Sequence, residues 1–459
     1  MLDLNPPPFA HSRVEHLDAA GLPVISIILD GGHPFTAWAE YRDDHNLKVG
    51  SQEAHAAAIG LFIDFIAAQG TEFLDVQDRP KLFQAFADAL VLGTIKGGND
   101  PSDLFWLPRS QLVARRTVAK VTTFMDWLVD ERGVQAVNPR RQATMAEQIA
   151  FWRAWRKVSS TSLLKHIKRR AQEHTTRTVR VRGHKPALPD GDAKAFPDDM
   201  FPDLLRYGFE RRPQLRWTTY RDQLITLLLH HGGQRISQAL QLWVDDVYIH
   251  PEDETLPVVR VYHPTDGVHE YQDPTTGRDR LITRAQYLQL VYGRLALTQQ
   301  PGKRRVGFKD PKLDDQRHKF LTVYWNSQEA ARAFLKLYRL YVETRPRIVG
   351  HPYLFVTPDA EPMTVHGYEK VHGAAVRRIG LVAAKHLGTT PHGHRHAYGR
   401  WLESAGDVLT RKVRQAALHH KSAFSQDVYT EADIAAVSDA MRAAEQRIVA
   451  KNRLEWISK

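Results

Sequence analysis

The chain contains no cysteine. Disulfides and thiolate-bound zinc are therefore excluded, and a reducing compartment fits. No run of about 18 or more apolar residues occurs, so no membrane span is expected. The N-terminal stretch MLDLNPPPFAHSRVEHLDAAG lacks the basic-then-apolar pattern of a secretory signal, and the expected location is the cytoplasm. There is no internal repeat. There is also no nucleotide-binding glycine loop, since GGQR at 232–235 is not followed by the Lys-Ser/Thr pair of a P-loop.

What the chain does have is length and an uneven charge. Its 459 residues are enough for two or three domains, each with its own core. The net charge is +11, and the stretch from Arg140 to Pro186 holds 13 Lys and Arg against 2 Asp and Glu, so all of the surplus sits there. A basic segment joined to balanced domains points to a polyanion, with nucleic acid first; the alternative is a solvated basic helix with a linker.

Hydrophobic periodicity gives the organisation. Residues 1–45 read as an irregular N-terminal extension with a strand-like PVISIIL at 23–29. Three amphipathic helices follow within 46–137: one from Ser51, as cap, to Gly70; one over RPKLFQAFADALVLGTI; and one stopped by Gly133. Residues 138–194 read as a basic helix with Trp152 and Trp155 interleaved, then an extended linker over TTRTVRVRGHKPALPDGDAKAFP. From 195 to 459 the pattern is helix-rich with a few strands. WTTYRDQLITLLLHHGG has a Thr219-x-x-Asp222 start, and ISQALQLWVDDV begins a further helix. TLPVVRVYH, KFLTVYW and YLFVT read as strands. SQEAARAFLKLYRLYVETR is a helix opened by Ser327, and four more helices follow. The expected fold class is mainly α with a small antiparallel β-sheet, an α+β catalytic domain behind an N-terminal helical domain. An insertion occupies about 250–308.

The stretch PHGHRHAYG at 391–399 concentrates His392, His394, Arg395 and His396. His392 and His396 have the i, i+4 spacing of a helical zinc site. Gly393 and Arg395 stand where a glutamate base would be needed, however, and an arginine between ligands repels a dication. A phosphate reading fits better. Arginine grips two phosphate oxygens with a planar fork, and a nearby histidine can donate to them or move protons near neutral pH. Arg235 follows a glycine break at the start of a helix, where free N–H groups attract anions. His420 lies nine residues before Tyr429.

GxRIS at 233–237, HxxRH at 392–396, and Leu418-His419-His420 followed by Tyr429 resemble, in order and spacing, the catalytic set of the tyrosine recombinase (phage integrase) family. YLFVT with Pro362, and RRIGL before the HxxR, support it, and the resemblance covers roughly 195–440. The bundle at 46–137 is similar in type and position to the family's core-binding domain. The resemblance implies catalytic roles for Arg235, Arg395, His392 and His420, with Tyr429 as nucleophile. It also implies a lysine from the following hairpin: Lys309, expected at the end of its first strand, with Lys312 and Lys319 as alternatives. Gln238 stands where an acidic residue is frequent, and His419 where glycine is usual. That leaves His419 and His420 in competition, with spacing favouring His420. His396 is expected to orient neighbours, and His394 to be ordinary.

The implied reaction is strand cleavage and rejoining through a 3′-phosphotyrosine. Arg235, Arg395 and His420 would hold the non-bridging oxygens, Lys309 would protonate the leaving 5′ oxygen, and His392 would act as acid or base near the nucleophile. A phenol of pKa near 10 needs such help. The energy of the phosphodiester is conserved, so no metal, ATP or other cofactor is expected. The implied partner is a double-stranded DNA attachment site, gripped by bundle and catalytic domain from opposite faces. Arg153, Arg156, Lys157, Lys165, Lys168, Arg169, Arg170, Arg177, Arg180 and Arg182 would track phosphates between them. The resemblance further implies a tetramer on DNA joined through the C-terminal helix, possible recruitment of DNA-bending or partner recombinase proteins, and a bacterial, nucleoid-bound setting. Size and insertion lean toward an integrase of a mobile genetic element. The competing readings are a type IB topoisomerase-like relaxase, a DNA-binding accessory protein with a decayed site, and a metal-dependent hydrolase.

Overall fold

The structure, a computed structural model, describes residues 10–69, 78–95, 97–149, 152, 175–181, 194–210, 213–309, 311–406, 409–419 and 434–457. The chain divides into two units, residues 1–190 and 191–459. Helices dominate both, with small antiparallel sheets, as the sequence pattern predicts.

In the first unit, β1 (His11–Leu17) and β2 (Pro23–Leu29) form an antiparallel hairpin, and α1 (Thr36–Asp44) follows. The reading of 1–45 as irregular found only β2. Ile25 and Ile27 of β2 pack with Trp38 and Tyr41 of α1, and the Trp38 indole donates to the Ile25 carbonyl at 2.8 Å. The bundle itself comprises α2 (Val49–Gln69), α3 (Arg79–Leu92) and α4 (Gln111–Arg132). Ser51 lies inside α2 and does not cap it. Burial of Leu47 and Val49 against the α1 cluster starts the helix earlier, and the Gln52 amide ties this turn to the Ile25 N–H and the Leu47 carbonyl. Gly60, in the middle of α2, is needed for space: a Cβ there would lie 2.0 Å from His11, whose ring pairs with Asp64 at 2.8 Å. α4 is capped at Ser110 and ends at Gly133 in the left-handed conformation.

The segment expected as a linker is partly core. β4 (Thr175–Arg177) pairs with β3 (Arg140–Gln142), and Val179 and Val181 are buried with Phe83, Phe86 and Val121 of the bundle. Beyond β4, Val179 and Val181 turn inward and Arg180 outward without forming a strand, and the nearby glycine and prolines hid that alternation.

The second unit is built on α5 (Arg216–His230), which is buried on nearly every side. Thr219 and Asp222 do not open it. Burial of Trp217 draws the start back to Arg216, the Thr219 hydroxyl donates to the Phe209 carbonyl, and Asp222 is held by Arg221. α6 (Ile236–Ala239) is a single turn. The sheet is β5 (Val247–His250), β6 (Asp253–Tyr262) and, after a long excursion, β9 (Phe320–Thr322), in the order β5-β6-β9. The excursion runs from 263 to 319, later than the expected 250–308. It contains the hairpin β7 (Val268–Gln272) and β8 (Asp279–Thr283), then α7 (Arg284–Tyr292). Arg284 seats it. Its guanidinium forms a bidentate pair with Asp246 and lies 4.1 and 4.2 Å from the Trp243 and Tyr262 ring centroids.

α8 (Gln328–Thr344) is capped by Ser327 and α9 (Val365–Arg378) by Thr364. Residues 353–356 are buried, but join the fold only by isolated bridges, so YLFVT is not a full strand. α10 (Pro391–Ser404), α11 (Arg411–Ala417) and α12 (Ile434–Ile457) complete the chain. On one face of α12, Val437, Met441 and Ala444 pack with Tyr398, Leu402 and Ala417.

α5, α9 and α10 are joined by three buried histidines. His394 Nδ1 lies 3.0 Å from His230 Nδ1, and His394 Nε2 lies 2.8 Å from His372 Nε2. Phe196 stacks on His394 at 4.3 Å and Phe201 on His230 at 3.7 Å. His372 Nδ1 has no partner among the described residues, and an unpaired lone pair costs less than an unpaired N–H. Partner counting therefore makes His372 donate to His394, and His394 to His230, whose Nε2–H faces Asp198 at 3.7 Å. His394, expected to be ordinary, is the centre of this chain.

Burial is the first cause that drives these rings below their ordinary pKa, His372 to about 3, with neighbouring histidines adding to it for His230 and His394. Folded values below the unfolded one, near 6.5, mean that the unfolded state takes up more protons, so stability is lost as pH falls from about 6.5. Between pH 6.5 and 5 each such ring costs about 2 kcal/mol. Replacing His394 with Leu removes one of them. Urea unfolding at pH 7.5 and 5.0 is expected to show a smaller acid loss in His394→Leu, by about 2 kcal/mol, alongside lower stability at pH 7.5. An unchanged acid loss would contradict the neutral histidine chain.

Candidate active site

α10 starts at Pro391, whose missing N–H costs nothing in a first turn. Two residues on, Gly393 packs backbone to backbone: a Cβ would lie 1.6 Å from the Gly388 carbonyl oxygen, and the Gly393 carbonyl accepts from Phe196 N–H at 3.0 Å. This contact and the histidine chain fix the first turn, and with it His392 and Arg395.

Arg395 is 5% exposed. One terminal nitrogen donates to the Gly233 carbonyl and the other to the Leu418 carbonyl, the latter at 2.6 Å. Gly233 has φ +64, and a Cβ on it would lie 2.4 Å from the Tyr398 ring. Only glycine satisfies both demands. The turn delivers Arg235 beside Arg395. Gln238 closes that turn from the next helical position, its side-chain oxygen accepting the Arg235 N–H at 2.9 Å. This is half of a capping box, so glutamine does the structural work an acidic residue would do there. Because α6 is one turn long, the expected helix-dipole attraction at Arg235 is small, and side-chain charge must supply it.

Burial is the main cause of the lowered pKa of both arginines, Arg395 reaching about 9 with a further push from Arg235. One Arg235 terminal nitrogen is buried without a partner among the described residues. His392 lies at the exposed mouth of this group, its ring 4.4 Å from that of His396. Its pKa is driven down to about 4, first by the protein around its inner edge, then by His396, Arg395, Lys309 and Arg235. The open outer edge tempers the first of these; the repulsion from cations needs no burial. Arg235, Lys309, His392 and Arg395 therefore meet, with His396 beside them, and none of the three cations has a carboxylate ion-pair partner among the described residues. Such a group is relieved by an anion that offers several acceptor oxygens.

Lys309 is exposed and lies in an extended stretch rather than at a strand end, since β6 ends at Tyr262. Lys312 and Lys319 lie farther along the same loop, Lys319 at φ +59. His419, the residue that stands for glycine, has φ +49 and is buried at 1% exposure. His420 and Tyr429 fall outside the described residues, as do Arg153, Arg156, Lys157, Lys165, Lys168, Arg169, Arg170 and Arg182. Arg177 pairs with both carboxylate oxygens of Asp126 and donates to the Asn138 carbonyl at 2.8 Å; Arg180 pairs with Glu147 at 3.1 Å. These two are engaged by the first unit's own carboxylates. Among the described residues, no three or more His, Asp and Glu side chains are grouped to hold a metal. Sequence reading missed Asp314, which faces His419; nothing in DPKLDDQ distinguished one aspartate of that loop from another.

The two arginines should respond differently to charge removal. Arg395→Met strands two buried carbonyls and is expected to cost about 2–4 kcal/mol. Arg235→Met removes a repelled, half-desolvated charge and is expected to be neutral or stabilising. Denaturant unfolding of both variants at low salt measures this, and equal destabilisation would contradict the assigned partners.

No protein-family model and no curated protein sequence matches the chain. Among solved structures it is similar to the XerH site-specific recombinase bound to palindromic difH substrate in a post-cleavage complex, at 10% identity and TM-score 0.43, over 89% of this chain and 80% of that one. It is also similar to the Tn1549 transposon integrase (aa 82–397) in complex with circular intermediate DNA, at 14% identity and TM-score 0.30, over 65% and 75%. The integrase from mycobacterium phage Brujita matches at 11% identity and TM-score 0.29, over 88% and 90%.

Proposed function

We propose that the chain is a tyrosine-type site-specific DNA recombinase, and that it serves a mobile genetic element as an integrase. The observation that carries this reading is the convergence of positive charge from Arg235, Arg395 and Lys309 on His392, from segments far apart in the sequence, with no carboxylate ion pair to these three cations among the described residues. In this reading Arg235 uses its unpartnered nitrogen on a non-bridging phosphate oxygen. Arg395, held by two carbonyls, contributes fixed positive charge rather than a free fork. Tyr429 Oη attacks phosphorus and the P–O5′ bond breaks. The phenolic proton goes to His392, which is neutral at working pH because its pKa lies near 4. The Lys309 ammonium gives its proton to O5′. His420 adds a further donor to the phosphate, and the basic segment supplies salt-sensitive, sequence-neutral affinity. No metal or nucleotide enters.

The test uses full-length protein and a nicked duplex carrying the site that the protein itself selects from a random-sequence pool, in EDTA. Protein-linked DNA is expected on a denaturing gel, and none with Tyr429→Phe. A retained mobility shift with no adduct would instead make the chain a DNA-binding accessory protein.

A further inference from the structure

We propose that Asp314 and His419 form a clasp that positions the lysine loop for proton transfer; this rests on the recombinase reading. His419 ends the turn after α11 in a left-handed conformation that favours glycine. The position is nonetheless filled by a bulky ring, and that ring is held on two sides. It stacks on Tyr324, with centroids 5.6 Å apart and planes 17° from parallel. Its Nε2 lies 3.3 Å from Asp314 Oδ2. Asp314 is itself fixed to β9: the same oxygen accepts the Thr322 N–H at 2.7 Å, and its own N–H donates to the Phe320 carbonyl at 2.9 Å.

The backbone of this turn is shared. The Leu418 carbonyl accepts from Arg395 at 2.6 Å, and the His419 carbonyl accepts from the Lys312 N–H at 3.2 Å. One turn thus joins the buried arginine of the site, the loop with Lys309 and Lys312, and the start of the segment that leads to His420 and Tyr429. Without the imidazole–carboxylate contact, no side chain of Asp314 ties the loop to the turn, and the Lys312–His419 backbone hydrogen bond bears more of the load. Lys309, exposed and three residues before Lys312, then loses its fixed distance to the leaving oxygen. Asp314 and His419 touch no reacting atom, so they are positioning residues.

The chemistry of the leaving group tests this. With ordinary DNA, Tyr429 forms the P–O bond, P–O5′ breaks, and O5′ takes a proton from the lysine. With sulfur in place of the bridging 5′ oxygen, P–S5′ breaks and a thiolate leaves that needs no proton. Adduct formation is followed for wild type, Asp314→Asn and His419→Gly on both nicked duplexes. His419→Gly relieves the left-handed backbone but empties a buried site, so its melting temperature is expected to fall, and rates are compared at a temperature where both variants are folded. Both variants are expected to be about 10- to 100-fold slower on ordinary DNA and near wild type on the phosphorothiolate. Equal slowing on both duplexes, or slowing on neither, overturns the clasp while leaving the recombinase reading intact. No adduct from wild type on either duplex removes that reading and the clasp with it.

Discussion

A buried guanidinium holds the second unit's site together. Arg395 reaches back to Gly233 and forward to Leu418, so one side chain bridges the turn that presents Arg235 and the turn that leads toward Tyr429. Burial strengthens the contact with the Gly233 carbonyl, and partial burial the one with Leu418. It also sets demands around them. Gly233 must be glycine, to adopt its turn under the Tyr398 ring, and Gly393 must be glycine, to let α10 approach Gly388 closely. The arginine is thus both frame and electrostatic source, and the site cannot keep one role without the other.

The three-histidine chain serves the same end from the opposite side of α10. A leucine at 394 would fill similar space, but would not fix the rotation of the helix against His230 and His372. Directional N–H···N contacts specify an orientation that apolar packing leaves looser. The cost is acid sensitivity, which arises because the rings must stay neutral in the fold.

Legibility followed the range of the forces involved. Helix ends with local signals, such as α4 at Gly133 or α8 at Ser327, could be read directly, since signal and helix are neighbours in sequence. Arg235, His392 and Arg395 were legible because their types and spacing are unusual. Ser51 and Thr219 misled because distant burial, of Val49 and Trp217, moved the helix starts. His394 and Asp314 were illegible: each matters through partners more than 20 residues away, and no local pattern marks them.

The pairing of Arg140–Gln142 with Thr175–Arg177 has a topological consequence. The two ends of the stretch 143–174, which carries 7 Lys and Arg against 2 Asp and Glu, are held side by side by that strand pair. Changing the length of that stretch therefore changes the charge the first unit carries while its two anchoring strands stay paired.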